Sequence, residues 1–449
     1  MNAEARLRPG GDIATTAALP AVTATAAALA LGAVAAYSPK AALVALLAVA
    51  LLVLAVCRLE LAVALFVVLT FPEHLPGSLG VGLTLAKPVG ATIALAWLGL
   101  VVARRNVALL PRDGPTLFWA ALGFLALGAA SALWATDTAP SFTALGRLAQ
   151  VAVLLVVVYT AAATPSGFRI LLGGYLAGSA ATSVYSIATG AYGQNGRLGG
   201  LFDPNYFAAS LIPAILVSLF VLLTSGTGRG RALAGAVAVV DLAAFALTQS
   251  RGGIVGLTVA LLAALILAGR ARPRVLALVL VLVAAGLGYY TFAAPSHVLS
   301  SSSSGRSGEW RIASRMFENH PLRGVGLGNF GVVEPSYSTQ TLDLQRVRYV
   351  VKFRQRAHNT YLEVAAELGV AGVLLFLLVL GASIRYSLHG IAGLARAEDA
   401  LEPWARGLVA GAIGMFVAYL FLSAEWEKQL WLVLALLAVV PALVRAEAR

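Results

Sequence analysis

Apolar runs separated by short polar breaks repeat along almost the entire chain, and their lengths predict helices that enter a bilayer. Fourteen such runs can be read. Seven precede residue 190, at about 17–36, 41–57, 60–72, 87–103, 115–133, 144–163 and 168–189. Four follow at about 206–223, 231–248, 252–268 and 274–292, and three close the chain at about 359–380, 405–423 and 428–445. The third run is short and meets Pro72 and Pro76, which suits a re-entrant segment. The first has the look of a signal peptide and is read as a retained helix. One long polar stretch, residues 293–359, interrupts the pattern. The chain therefore divides into N-terminal helices (1–189), helices with polar turns (190–292), a loop domain (293–358) and C-terminal helices (359–449).

Within the polar stretch, residues 306–318 place Arg311 and Arg315 on one face at i, i+4, predicting a short amphipathic helix. Asn319-His320-Pro321 should end it, because the residue before proline avoids the helical region. Gly324, Gly326 and Gly328 then permit a tight backbone path. The five serines 300–304 read as a flexible leader.

Composition agrees with the pattern: 59% of residues are hydrophobic and 12% charged, with a mean hydropathy of +0.86. The fold class is all-α, a polytopic transmembrane protein of about 12–14 spans with one large extracytoplasmic loop containing short helices. The alternation of a membrane β-barrel is absent. A lone cysteine, Cys57, excludes an internal disulfide and argues against a cysteine metal site. The net charge of +12 reflects cytoplasmic loops under the positive-inside rule rather than nucleic-acid binding.

With the N-terminus inside, the inner connections collect Arg58, Arg104, Arg105, Arg112, Arg169, Arg229, Arg231, Arg270, Arg272, Arg274, Arg385 and Arg396. The outer ones collect Lys40, Asp137, Glu425 and Glu427, the last two read as a solvated turn. Three outer segments break the rule: residues 190–205 with Arg197, the turn at Arg251, and the long loop. That loop carries nine cations (Arg306, Arg311, Arg315, Arg323, Arg346, Arg348, Lys352, Arg354, Arg356) against four acids (Glu309, Glu318, Glu334, Asp343).

Guanidinium groups bind phosphate through paired hydrogen bonds, so arginines gathered at one membrane face suit an anionic lipid-linked substrate. Each could instead contact lipid headgroups or cap a helix. His358, at the lip of a span, is either an interfacial hydrogen-bonding residue or a proton carrier. Asp241 and Glu367 fall near the middle of their runs, where a carboxyl either serves function or pairs with a buried polar group. Glu363 shares a helix face with Glu367. No metal-ligand cluster, Walker loop or dinucleotide loop is evident, and no metal or cofactor is expected.

Four motifs resemble the O-antigen ligase and polymerase superfamily, bacterial membrane glycosyltransferases with a Wzy_C-type region. They are Gly196-Arg197-Leu198-Gly199-Gly200-Leu201-Phe202-Asp203-Pro204-Asn205; Ser250-Arg251-Gly252-Gly253; Trp310 through Phe330; and His358-Asn359-Thr360-Tyr361-Leu362 with Glu367-Leu368-Gly369-Val370-Ala371-Gly372. The resemblance covers about residues 190–380 and implies transfer of a glycan from undecaprenyl diphosphate to an acceptor hydroxyl, such as a lipid A core sugar. The reaction would run on the outer side of the bacterial cytoplasmic membrane, with inversion and without metal or nucleotide sugar. It implies that Arg197 and Arg251, assisted by Arg306 and Arg311, hold the diphosphate while His358 orients or deprotonates the acceptor. Asn205, Asn359, Glu367 and Asp241 are secondary candidates. A polymerase would use another lipid-linked repeat unit as acceptor, and the motifs do not separate the two. A lipid-linked oligosaccharide transporter would line a path through the membrane with cations, whereas here they gather at one face.

Overall fold

The computed structural model describes residues 38–71, 86–104, 115–191, 196–199, 203–224, 228–292, 306–338 and 356–447. Among these the chain forms fifteen α-helices and no β-strand. They are α1 (Pro39–Cys57), α2 (Leu59–Leu69), α3 (Ala86–Arg104), α4 (Pro115–Ser131), α5 (Thr138–Ala162), α6 (Pro165–Thr189), α7 (Pro204–Thr224), α8 (Gly228–Thr248), α9 (Arg251–Leu267), α10 (Arg272–Phe292), α11 (Arg306–Asn319), α12 (Phe330–Ser338), α13 (Thr360–Ala397), α14 (Glu402–Ala418) and α15 (Lys428–Glu447). The all-α, multi-pass membrane class holds.

The run at 17–36, the serine leader and the cations Arg346, Arg348, Lys352 and Arg354 lie outside the described residues. The other thirteen runs each coincide with a helix. By length and apolarity alone, seven helices qualify as crossings: α3, α5, α6, α7, α8, α13, and α14 with the turn that follows it. α9 and α10 are bent by 112° across Gly269 and would add an eighth as one broken span. The apolar stretches of α1, α2, α4 and α15 fall short of the length of a crossing among the described residues. The 11-residue α2 rises only about 16 Å, roughly half the bilayer core.

The best-buried element is α7, whose residues 207–221 are all buried. It is enclosed by α8, α9 and α14. Here the backbones touch: a Cβ at Gly407 would lie 2.6 Å from Val217 Cα, and one at Gly411 2.5 Å from Pro213 Cα. Gly414 and Gly256 bring α14 equally close to α9. Lipid offers no hydrophobic drive between helices, so such small-residue contacts and interhelical hydrogen bonds supply the cohesion. Ser387 Oγ donates to Leu437 O at 2.7 Å, and Tyr175 OH to Ser210 O at 2.8 Å.

Asp241, buried on α8, accepts from Ser179 Oγ and Ser183 Oγ of α6, each at 2.8 Å. Of the two roles open for this carboxyl, the contacts are those of a helix-pairing group.

α11 spans Arg306 to Asn319, as the amphipathic pattern predicted, and a glycine-rich turn follows it. Gly324, Gly326 and Gly328 have φ of 64°, 101° and 73°. This turn docks into a break in α13. Rather than stopping near residue 380, α13 runs to Ala397, and it is interrupted at Gly369 (φ 65°, ψ −163°). The break releases carbonyls that the loop satisfies: Val325 N donates to Ala366 O and Gly326 N to Glu367 O, both at 2.9 Å. Val370 N in turn donates to Pro321 O at 2.8 Å. On the other side, Leu327 N donates to Ser131 Oγ at 2.9 Å. Asn329 joins the turn to the start of α5, accepting from Asp137 N at 2.8 Å and donating to Ser141 Oγ at 2.8 Å.

At Gly369 only glycine suits the backbone, and a Cβ would fall 2.5 Å from Leu322 C. Gly369→Ala should cost about 1–3 kcal/mol from backbone strain alone, with the clash adding to it. Gly99→Ala, where a Cβ meets nothing within 4 Å, should be neutral or mildly stabilising. Thermal unfolding of the detergent-solubilised variants checks both.

Candidate functional site

Two turns that lead into helix starts at one end of the bundle share an unusual construction. Gln249 precedes the Ser250 cap of α9 with φ 52°, and His358 precedes the Asn359 cap of α13 with φ 49°. In both turns a non-glycine residue in the left-handed region swings the chain directly into a helix start, and such strain gathers at functional sites. Ser250 Oγ accepts from Gly253 N at 3.1 Å. Asn359 Oδ1 accepts from Tyr361 N and Leu362 N, each at 3.1 Å.

α7 starts beside them. Asn205, in its first turn, accepts from Arg197 Nη2 at 2.8 Å and from Ser250 Oγ at 2.9 Å. Arg197 Nε also donates to Thr248 O at 2.9 Å, so two bonds fix this guanidinium between α7 and α8. α11 reaches the same end through Trp310, whose ring centroid lies 6.0 Å from that of Phe421. A Cβ on Gly252 of α9 would sit 2.7 Å from Phe421 Cβ, so both elements close on one aromatic ring. Starts of α7, α9, α11 and α13 thus converge, each presenting the positive end of its dipole.

The charges feel one another. Burial lowers the Arg197 guanidinium from its ordinary value, Asp203 opposes this, and Arg306 and Arg251 add to the lowering. Burial likewise lowers His358, and Arg306 pushes in the same direction against Glu309, Glu363 and Asp203. His358 is therefore neutral at pH 7. Its backbone N–H donates to Ser423 Oγ at 3.0 Å.

Of the sequence-singled residues, Arg197, Arg251, Arg306, Asn205 and His358 are brought together. Arg311 is not: it stands on an exposed face of α11 and is not among the charges acting on Arg197 or His358. Asn359 is engaged in capping. Glu367 accepts from Gly328 N at 2.8 Å and Phe330 N at 3.0 Å, so its carboxylate ties the glycine turn to α13.

Beneath His358 lies an ion cluster. Arg356 Nε donates to Glu363 Oε1 at 2.9 Å, and Arg356 Nη2 donates to Glu425 Oε1. The other Glu363 oxygen accepts from Ala357 N at 3.2 Å and from Ser423 Oγ. Burial works against the Arg356 charge, but Glu425 and Glu363 outweigh it and hold the guanidinium more firmly protonated than usual. The Arg356 guanidinium also stacks 4.4 Å from the Trp426 ring centroid. The expected solvated turn at Glu425 is overturned, because Glu425 is buried by the docking of Arg356. Arg356 did not stand out among nine loop cations, and its partner lies 69 positions away. Only its place two residues before His358 marked it.

Among the described residues no three His, Cys, Asp or Glu side chains are grouped closely enough to hold a metal ion.

Residues 236–377 match the family model described as Wzy_C, O-antigen ligase. The match includes Arg251, Arg306 and His358 and leaves Arg197 outside. A search of curated proteins gives no match.

Arg356→Ala would leave two buried carboxylates without a counter-charge and should destabilise the protein by about 3–5 kcal/mol at neutral pH. The deficit should narrow as pH falls, because orphaned buried carboxyls bind protons more readily than in the unfolded chain. Denaturation of wild type and variant at pH 5 and pH 7.5 measures it.

Proposed function

Given this O-antigen ligase-type domain in a multi-pass membrane protein, we propose that the chain transfers a glycan from a polyprenyl diphosphate, of the undecaprenyl type, to a sugar hydroxyl. The reaction would take place at the extracytoplasmic face of a bacterial cytoplasmic membrane. The supporting observation is the convergence of Arg197, Arg251 and Arg306 with several helix starts beside a neutral His358.

The bond between the anomeric carbon and the diphosphate oxygen breaks, and its electron pair stays with the diphosphate, which gains one negative charge. Arg197 and Arg251, with Arg306, hold that charge, and preorganised donors act where charge develops. Arg197 is preset by Asn205 and Thr248, so little reorganisation is needed on binding. The acceptor oxygen attacks the opposite face of the anomeric carbon, and the configuration inverts. His358 Nδ1 or Nε2 takes the proton from that oxygen. Its depressed basicity keeps the ring unprotonated and ready to accept. Glu363, Ser423 and Arg356 are positioning residues that hold the backbone from which the imidazole projects. No step calls for a metal or cofactor.

A ligase is the reading favoured by the family description; a polymerase differs only in taking a second lipid-linked glycan as acceptor. Chain growth against single capping, with purified protein and both acceptors, separates them.

Arg251→Ala and His358→Ala should each lower transfer by about 100-fold or more while leaving thermal unfolding close to wild type. Full product formation by both would refute the assignment. The pH profile of kcat/KM should hold level down to below pH 6.5 and then fall as His358 protonates. Arg306→Gln removes a charge that disfavours the imidazolium, so the acid limb should move to higher pH.

A further inference from the structure

Beside the start of α13 lies a cleft of about 480 Å³. α5 forms one wall through Thr143 and Arg147, and the turn at Gly328 forms another. Arg356, Glu363, Glu367 and Trp426 line the remainder together with Phe330 and Val332. Its volume falls in the range of small-ligand sites. The lining mixes two cations, carboxylates and a half-buried indole with Pro140, Phe330 and Val332, a composition that suits the hydroxyls and apolar faces of a sugar.

Arg147 is the unexplained member. It lies inside a helix apolar enough to cross a membrane, where an arginine marks a functional position by default. Arg356 is committed to Glu363 and Glu425. Arg147 has no carboxylate within ion-pair distance among the described residues, and its guanidinium carbon lies 5.8 Å from the centroid of the Trp426 ring. It is exposed along the cleft. The cleft is also wired to the reacting group, since the Glu363 that lines it accepts from Ser423, which holds the His358 backbone N–H.

We infer that this cleft binds the acceptor, a glycan bearing an anionic substituent of the phosphate or carboxylate class, and that Arg147 holds the anion. The inference rests on the transferase reading above. It gives the two substrates separate berths, with the donor diphosphate on the arginine group and the acceptor beside the α13 start, so that they meet at His358.

The test uses full-length protein in lipid nanodiscs, titrated with a disaccharide phosphate and with the same disaccharide lacking phosphate. A charge-assisted pair predicts that wild type binds the phosphorylated form about 10-fold or more tightly. Arg147→Gln should erase that preference, Arg147→Lys should keep part of it, and Arg251→Ala should retain it. With lipid diphosphate-linked donor, Arg147→Gln should raise the KM for the phosphorylated acceptor without changing the donor KM. The inference is overturned if wild type shows no preference, or if Arg147→Gln keeps it, as an arginine engaged only with lipid headgroups would. Loss of the preference in Arg251→Ala would also overturn it, by placing the phosphate on the donor group. If wild type binds the phosphorylated sugar through Arg147 yet transfers nothing, the transferase reading fails and the cleft assignment stands.

Discussion

A backbone carbonyl released inside a helix must find another donor, and the described architecture turns on how α13 meets that demand. At Gly369 the helix breaks, and the amides of Val325 and Gly326 take up the carbonyls of Ala366 and Glu367. Irregular backbone at a membrane surface is tolerable when it is covered by protein in this way. The exchange fixes the glycine turn against α13, the turn fixes the end of α11, and α11 carries Arg306. Glu367 adds its side chain to the same clamp. One glycine conformation thereby helps to place Arg306 relative to His358.

A second constraint acts from below. Arg356 draws Glu363 and Glu425 into one buried cluster, and Ser423 extends it to the His358 backbone. His358 sits between a rigid ionic floor and a field of positive charge. The floor immobilises the backbone, while Arg306 and burial keep the ring uncharged. Position and protonation state are thus governed by different neighbours.

Much of this was legible in the chain. The helical class, α11 and its end at Asn319, and the tight path through Gly324, Gly326 and Gly328 follow from local patterns. Arg197, Arg251 and His358 were picked out by breaking the charge rule or ending a run, and the structure brings them to one end of the bundle. What escaped depended on partners far apart in sequence. Glu425 looked like a solvated acid because Arg356 is brought to it only by the docking of the loop. Arg147 was hidden inside an apolar run whose one charge is easily passed over. Among the described residues fewer helices reach the length of a crossing than there are apolar runs, because a run such as that of the 11-residue α2 is apolar enough but too short.

Asp241 has a bearing on how the molecule is made. A carboxyl entering the bilayer unaccompanied is opposed by roughly 2.5–3.5 kcal/mol at mid-helix. Its two hydroxyl partners, Ser179 and Ser183, lie on α6, which leaves the ribosome first. When α8 arrives, the hydroxyls that receive its acid are already in place. The order of synthesis therefore supplies a berth for a residue that would otherwise resist integration, and the α6–α8 pairing links biogenesis to the native packing.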